Sequence, residues 1–80
     1  VQLQIISEKS EEIKLAVMEK VGRGVTVLYG ETGYMGERCN IVLTVVSNRQ
    51  LLKTERIAKS IDPSSFVIVN SVKEVAGKGF

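Results

Sequence analysis

The sequence predicts an α+β fold of the ferredoxin-like, split βαβ kind, with a four-stranded antiparallel sheet and two helices on one face. The chain has 80 residues, enough for one thin core, so residues 1–80 are interpreted as a single domain. The second half repeats the first at a shift of 40 residues, which brings Leu3 onto Leu43 and Ser7 onto Ser47. Each half reads strand, helix, strand, which predicts the order βαββαβ.

The first half begins with a strand-length run rich in β-branched residues, Gln2–Ser7. Ser7 or Ser10 is suited to cap the helix that follows, and Gly22 and Gly24 are suited to end it. The buried stripe expected for this helix is Ile13, Ala16, Val17 and Val21.

The second helix has a clearer start, because Ser47 and Gln50 have the spacing of a capping box. Asp62-Pro63 stops the helix. Its expected buried stripe is Thr54, Ile57, Ala58 and Ile61. The remaining strands are predicted at Val25–Tyr29, Ile41–Ser47 and Phe66–Asn70.

Right-handed crossovers place the first and third strands in the centre of the sheet. On the face covered by the helices we expect Leu3, Ile5, Leu43 and Val45. On the open face we expect Gln4, Ile6, Val42, Thr44 and Val46. Because three of these five open-face residues are apolar, self-association is expected to bury them.

Composition argues against several functions that this fold can serve. The chain has no histidine and a single cysteine, so an intrachain disulfide is impossible and the commonest general base is missing. Cys39 lacks the paired cysteine of a metal chaperone and is interpreted as a packed strand residue. Ser7 and Ser47 have no base partner and are interpreted as caps. We therefore predict no catalytic residue, no metal and no cofactor.

Nucleic acid is not expected as a partner. The net charge is only +2, and the basic residues are interleaved with glutamates. The predicted central strands carry no aromatic side chain on which a base could stack.

Three glycine-containing segments are the candidates for ligand binding. After the first helix, Arg23 could hold an anion together with Gly24 and Thr26. The segment 30–36 joins the second and third strands, and the C-terminal tail follows the last strand. Candidate residues in these two segments are Gly33, Tyr34, Gly36, Glu74, Gly77 and Phe80. The alternatives remain open: the glycines can be simple turn formers, and the tail a frayed terminus.

Four motifs in order carry a family resemblance over essentially the whole chain. They are Gly22-Arg23-Gly24-Val25-Thr26, Gly30…Gly33-Tyr34-x-Gly36, Ile61-Asp62-Pro63…Phe66-Val67-Ile68-Val69 and Glu74-Val75-x-Gly77-x-Gly79-Phe80. Together they resemble a bacterial domain at the C-terminal end of YitT-type multi-pass membrane proteins. The stretch that usually reads Tyr-Thr-Gly in that family is Tyr34-Met35-Gly36 here.

The resemblance implies a regulatory module on the cytoplasmic face of the cell membrane, with a membrane domain in the same chain. That family is related in fold to PII-like signalling proteins, which are trimers that bind nucleotides between subunits. By resemblance we expect a homo-oligomer, with a trimer favoured, and a small anionic ligand such as a nucleotide. The turn after the second helix, residues 62–65, has neither the glycines nor the lysine of a phosphate cradle. The alternative is an oligomerisation module without a ligand.

Overall fold

The computed structural model describes residues 1–77, and all six predicted elements occur in the predicted order. Phe80 of the candidate site lies outside the described residues. The elements are β1 (Gln2–Ile6), α1 (Ser10–Lys20), β2 (Val25–Glu31), β3 (Arg38–Val45), α2 (Asn48–Ile61) and β4 (Phe66–Asn70). The α+β, split βαβ prediction is therefore confirmed.

The sheet has the strand order β2-β3-β1-β4, and every neighbouring pair is antiparallel. The two helices run antiparallel to each other over one face. Their ends are joined by two side-chain hydrogen bonds: Lys53 Nζ donates to the Lys20 carbonyl at 2.8 Å, and Lys9 Nζ to the Ile61 carbonyl at 3.4 Å. The predicted central position of β1 and β3 is correct.

The core lies between the helices and one face of the sheet. Its fully buried apolar members are Leu3, Ile5, Ile13, Val17, Val42, Val46 and Ala58. Two threonines are buried among them, and each donates its hydroxyl: Thr44 to the Gly24 carbonyl at 2.9 Å, and Thr54 to the Gln50 carbonyl at 2.8 Å. The core therefore tolerates these polar groups because both hydroxyls are paired.

The predicted faces of β3 are wrong by one residue. Leu3 pairs with Thr44 and Ile5 with Val42, so Val42, Thr44 and Val46 lie on the helix side. Leu43 and Val45, expected beneath the helices, are on the open face. A run of consecutive apolar residues has no alternation from which its buried face can be read, and a slip of one residue reverses every side chain.

The β2–β3 hairpin is longer than predicted. β2 continues through Gly30 to Glu31, and β3 already begins at Arg38. The loop is closed by the Thr32 N–H, which donates to the Glu37 carbonyl at 2.7 Å, and by the Gly36 N–H, which donates to the Thr32 carbonyl at 2.9 Å. Because β1 ends at Ile6, opposite Ile41, the hairpin projects beyond the rest of the sheet.

The two helices begin differently. Neither Ser7 nor Ser10 is the N-cap of α1: Lys9 holds that position without a side-chain capping bond, and the Ser7 hydroxyl accepts the Lys9 N–H at 2.9 Å. The capping box of Ser47 and Gln50 is present at the start of α2. Gly22 follows α1 with φ of +73°, the left-handed conformation that favours glycine after a helix.

Candidate functional site

Arg23 is attached to the start of α2. Its Nε donates to Gln50 Oε1 at 2.9 Å, and the side chain is half-buried. This contact has a structural role that the sequence interpretation missed, because residues 23 and 50 are remote in the chain. The anion-binding role predicted for Arg23 stays a prediction.

Gln50 connects the end of α1 with the start of α2. Its Oε1 accepts the Ser47 N–H at 3.1 Å in addition to Arg23 Nε. Its Nε2 donates to the Val21 carbonyl at 3.4 Å. One side chain therefore satisfies groups from both halves of the repeat.

The other predicted site residues near Arg23 are spread over the same end of the molecule. The Gly24 carbonyl accepts the Thr44 hydroxyl, while Thr26 is exposed on the open sheet face. Glu74 and Gly77 are exposed in the tail beyond β4, whose last residue pairs with Gln2 at this end of the sheet.

Gly33, Tyr34 and Gly36 lie at the tip of the hairpin, at the opposite end of the sheet. Tyr34 is 99% exposed, and its neighbour Met35 is 71% exposed. Gly36 has φ of +65°, so a glycine is favoured at that turn position. The seven residues of β2 separate the two groups by roughly 20 Å at 3.3 Å per residue. One subunit does not bring Tyr34 to Arg23.

A notch lies where the hairpin extends beyond β1. It has a volume of about 1160 Å³ and is bounded by the hairpin, the β1–α1 loop and the turn after α2. Its charged residues are Glu8, Glu31, Glu37, Arg38 and Asp62. Four carboxylates against one guanidinium make the notch a poor site for an anion.

Asp62 and Ser7 form the floor of this notch. Ser7 Oγ donates to Asp62 Oδ2 at 2.5 Å, and the Ser64 N–H donates to Asp62 Oδ1 at 3.0 Å. The Ser7 hydrogen bond, assisted by the Ser64 N–H and the charges of Lys9 and Lys59, lowers the pKa of Asp62 below its ordinary value. The carboxylate is therefore held in its charged form.

The open face of the sheet differs in composition from the face that the sequence predicts, because β3 contributes Ile41, Leu43 and Val45 to it. Strand pairing places thirteen side-chain positions on it. The larger apolar members are Ile6, Leu28, Ile41, Leu43, Val45, Phe66 and Ile68. Phe66 is 71% exposed, Ile68 41% and Leu28 40%. None of the thirteen positions is charged.

Residues 1–77 contain neither a metal-binding cluster nor a membrane-spanning helix. No three histidine, cysteine or acidic side chains there are arranged to hold a metal ion. Within the same residues, no helix has the length and hydropathy needed to cross a membrane.

The chain is similar to a family of bacterial proteins and to several membrane proteins. Residues 23–77 match the family model described as "Uncharacterized protein conserved in bacteria (DUF2179)". UPF0750 membrane protein YvjA of Bacillus subtilis is 40% identical over 95% of this chain and 27% of its own length. UPF0750 membrane protein YpjC of the same organism is 38% identical over 95% of this chain and 26% of its own length.

A solved structure shares the fold. The crystal structure of a DUF2179 protein from Eubacterium ventriosum has a TM-score of 0.74 at 26% identity, covering 86% of this chain and 94% of that one. The chain thus spans about a quarter of the length of the membrane proteins it matches, where its counterpart is the small C-terminal domain, and nearly the whole of the solved domain.

Proposed function

The chain belongs to the bacterial family DUF2179, and from this membership we propose that it is a self-associating, ligand-sensing domain of a multi-pass membrane protein. The relatives are named membrane proteins, which supports the membrane domain. The proposal places the domain on the cytoplasmic face, where it would report a small ligand to the membrane part.

The uncharged, apolar open face carries the self-association part of the proposal. A face with seven large apolar side chains and no charge is typical of the centre of a protein interface. The polar positions on it, such as Gln2, Gln4 and Asn70, lie toward the Arg23 end and can form hydrogen bonds at an interface rim.

A second copy of the chain is the proposed occupant of the face. An identical uncharged face introduces no like-charge repulsion and no unpaired buried charge. We propose a trimer, as in the PII-like proteins that the sequence resembles; a dimer would satisfy the same face.

Self-association would also bring the two separated groups of proposed ligand-binding residues together. Two copies whose strands run in opposite directions would bring the hairpin of one toward the Arg23 end of the other. Tyr34 would then cover a small anion, such as a nucleotide, held near Arg23 and Gly24. The exposure of Tyr34 supports this role, because this residue is 99% exposed and its ring is free to pack against a ligand or a second copy.

The assembly is tested by two neighbouring residues of β4 that point to opposite faces. Ile68 lies on the open face and Val69 on the helix side, and each is 41% exposed. Ile68→Glu would bury an unpaired charge in the interface, so in sedimentation equilibrium at high ionic strength the sheet-face oligomer should dissociate. Val69→Glu is the matched control and should keep the mass of the parent. A parent that is monomeric at high micromolar concentration contradicts the proposal.

The ligand is tested by a thermal-shift screen with nucleotides and cyclic dinucleotides, since a ligand of the native state raises the melting temperature. Arg23→Ala and Tyr34→Ala should each abolish the shift in folded protein. An oligomer with no shift by any compound supports the alternative, an assembly module without a ligand. A shift that both variants retain places the ligand elsewhere.

A further inference from the structure

The outer face of α1 is acidic around an apolar centre. The exposed residues of this helix are Glu11, Glu12, Leu15, Met18, Glu19 and, at its C-terminal end, Lys20, so three carboxylates stand against one exposed ammonium group. Leu15 is 54% exposed and Met18 48% exposed. Only one ion pair occurs among the described residues, between Glu11 and Lys14, so Glu12 and Glu19 are unpaired within residues 1–77.

The outer face of α2 is basic around an apolar centre. Its exposed residues include Arg49, Leu52, Lys53, Arg56 and Lys59, and Leu52 is 55% exposed. The one carboxylate of this helix, Glu55, is half-buried at its flank. Neither Lys53 nor Arg56 forms an ion pair in the described part of the chain.

The two faces lie side by side on the same layer, and the helices are antiparallel. Consider a two-fold axis that runs parallel to the helices, above the groove between them. It would place α1 of each copy over α2 of the other, so one dimer would contain the same contact twice. The hydrogen bonds at the helix ends place Lys53 level with Lys20, and Ile61 level with Lys9. In such a dimer Glu19 would therefore be level with Lys53 of the second copy and Glu12 with Lys59, and Arg56 would lie between these two pairs.

We propose that the helix layer is a second self-association surface, on which the acidic face of α1 binds the basic face of α2 of another copy. Leu15 and Met18 would lie between the charge pairs, with Met18 nearest to Leu52 of the second copy. This surface is separate from the open sheet face, so it goes beyond the proposed function: it links assemblies that the sheet face has already formed.

A second copy fits this surface better than a lipid bilayer does. Anionic lipids would attract Lys53 and Arg56, but the same flat layer would press Glu11, Glu12 and Glu19 against the headgroups. A second copy satisfies both signs at once. Exposed charge pairs are weakened by salt, so this contact should dissociate at high ionic strength, whereas the apolar sheet contact should persist.

A charge-swap experiment tests the contact. Glu12→Lys/Glu19→Lys makes both helices basic, and Lys53→Glu/Arg56→Glu makes both acidic. Each variant alone should lose the salt-sensitive association step in sedimentation velocity at low ionic strength, with affinity lowered by roughly ten-fold or more. An equal mixture should recover that step, because every contact in the mixed dimer again joins opposite charges. A chain with all four changes should recover it alone.

The same set of proteins separates this proposal from its rivals. Failure of the mixture and of the four-fold variant to associate would overturn it, as would a parent without a salt-sensitive step. Cosedimentation with phosphatidylglycerol vesicles that is lost in Lys53→Glu/Arg56→Glu, without rescue in the mixture, would also overturn it in favour of a membrane-facing surface. The Ile68→Glu variant should keep the salt-sensitive step, which separates failure of the sheet-face proposal from failure of this one.

Discussion

The Ser7 hydroxyl donates a 2.5 Å hydrogen bond to Asp62 Oδ2 and so joins the first βα loop to the turn after the second helix. The other end of the molecule has a counterpart, where Gln50 joins the second βα loop to the end of the first helix. The repeat brings these junctions to equivalent places, since Ser7 coincides with Ser47 and Asp62 with Gly22 at a shift of 40 residues. Each junction ties one half of the chain to the other.

Replacing Asp62 should change how stability depends on pH. Its pKa is lower in the folded chain than its ordinary value of 3.8, so its charged form stabilises the fold above that value. The stabilisation is lost as pH falls through the lower, folded-state pKa. The melting temperature of Asp62→Asn should be below that of the parent at pH 6, and the difference should shrink below about pH 4. Circular dichroism between pH 2.5 and 7 measures both curves.

The control for that prediction is Glu74→Gln, which removes an exposed carboxylate in the tail. Its curve should stay parallel to that of the parent. A constant offset between Asp62→Asn and the parent at every pH would show that the charge of Asp62 is not the cause.

Gln50→Ala should destabilise the domain by about 1–2 kcal/mol. The change removes the acceptor for both the Ser47 N–H and Arg23 Nε, which are half-buried. Gln50→Glu is the matched control, because glutamate keeps the acceptor for the Ser47 N–H and Arg23 Nε and loses only the donor to the Val21 carbonyl. Urea unfolding measures the two free energies, and equal stability of the alanine variant and the parent would contradict the role of this junction.

Gly22→Ala should cost about 1 kcal/mol, because φ of +73° is strained for a residue with a Cβ. The space around Gly22 is empty within 4 Å, so the cost comes from the backbone alone. Gly33→Ala provides the comparison: that site is equally open and has no positive φ, so its stability should change little. Thermal unfolding of the two variants side by side decides the prediction.

The two buried threonines should respond differently to valine. Thr44→Val removes the donor to the Gly24 carbonyl and should cost about 1–2 kcal/mol. Thr54→Val should cost less. The Gln50 carbonyl, which accepts the Thr54 hydroxyl, also accepts the backbone N–H of residue 54 in the helix, and that second hydrogen bond remains in the variant. The order of the two unfolding free energies in urea tests this, and the reverse order would contradict it.

Local patterns in the sequence determined the elements and their order. The Ser47–Gln50 spacing, the glycine after α1 and Asp62-Pro63 each act within a few residues, so the end of α1 and both limits of α2 could be predicted to within a residue or so. The start of α1 could not, because Lys9 holds its N-cap without a side-chain bond. Two adjacent βαβ units then leave few arrangements, which is why the strand order was predictable.

Contacts between distant residues were decided only by the tertiary structure. The side chains of Ile41–Val45 are apolar at nearly every position, and only the pairing with β1 shows that Val42 and Thr44 lie beneath the helices. The same pairing decides that the open face is uncharged. Arg23 meets Gln50, and Ser7 meets Asp62, because α1 and α2 pack antiparallel with their ends level. Such proximity depends on packing across the core, which no local pattern encodes.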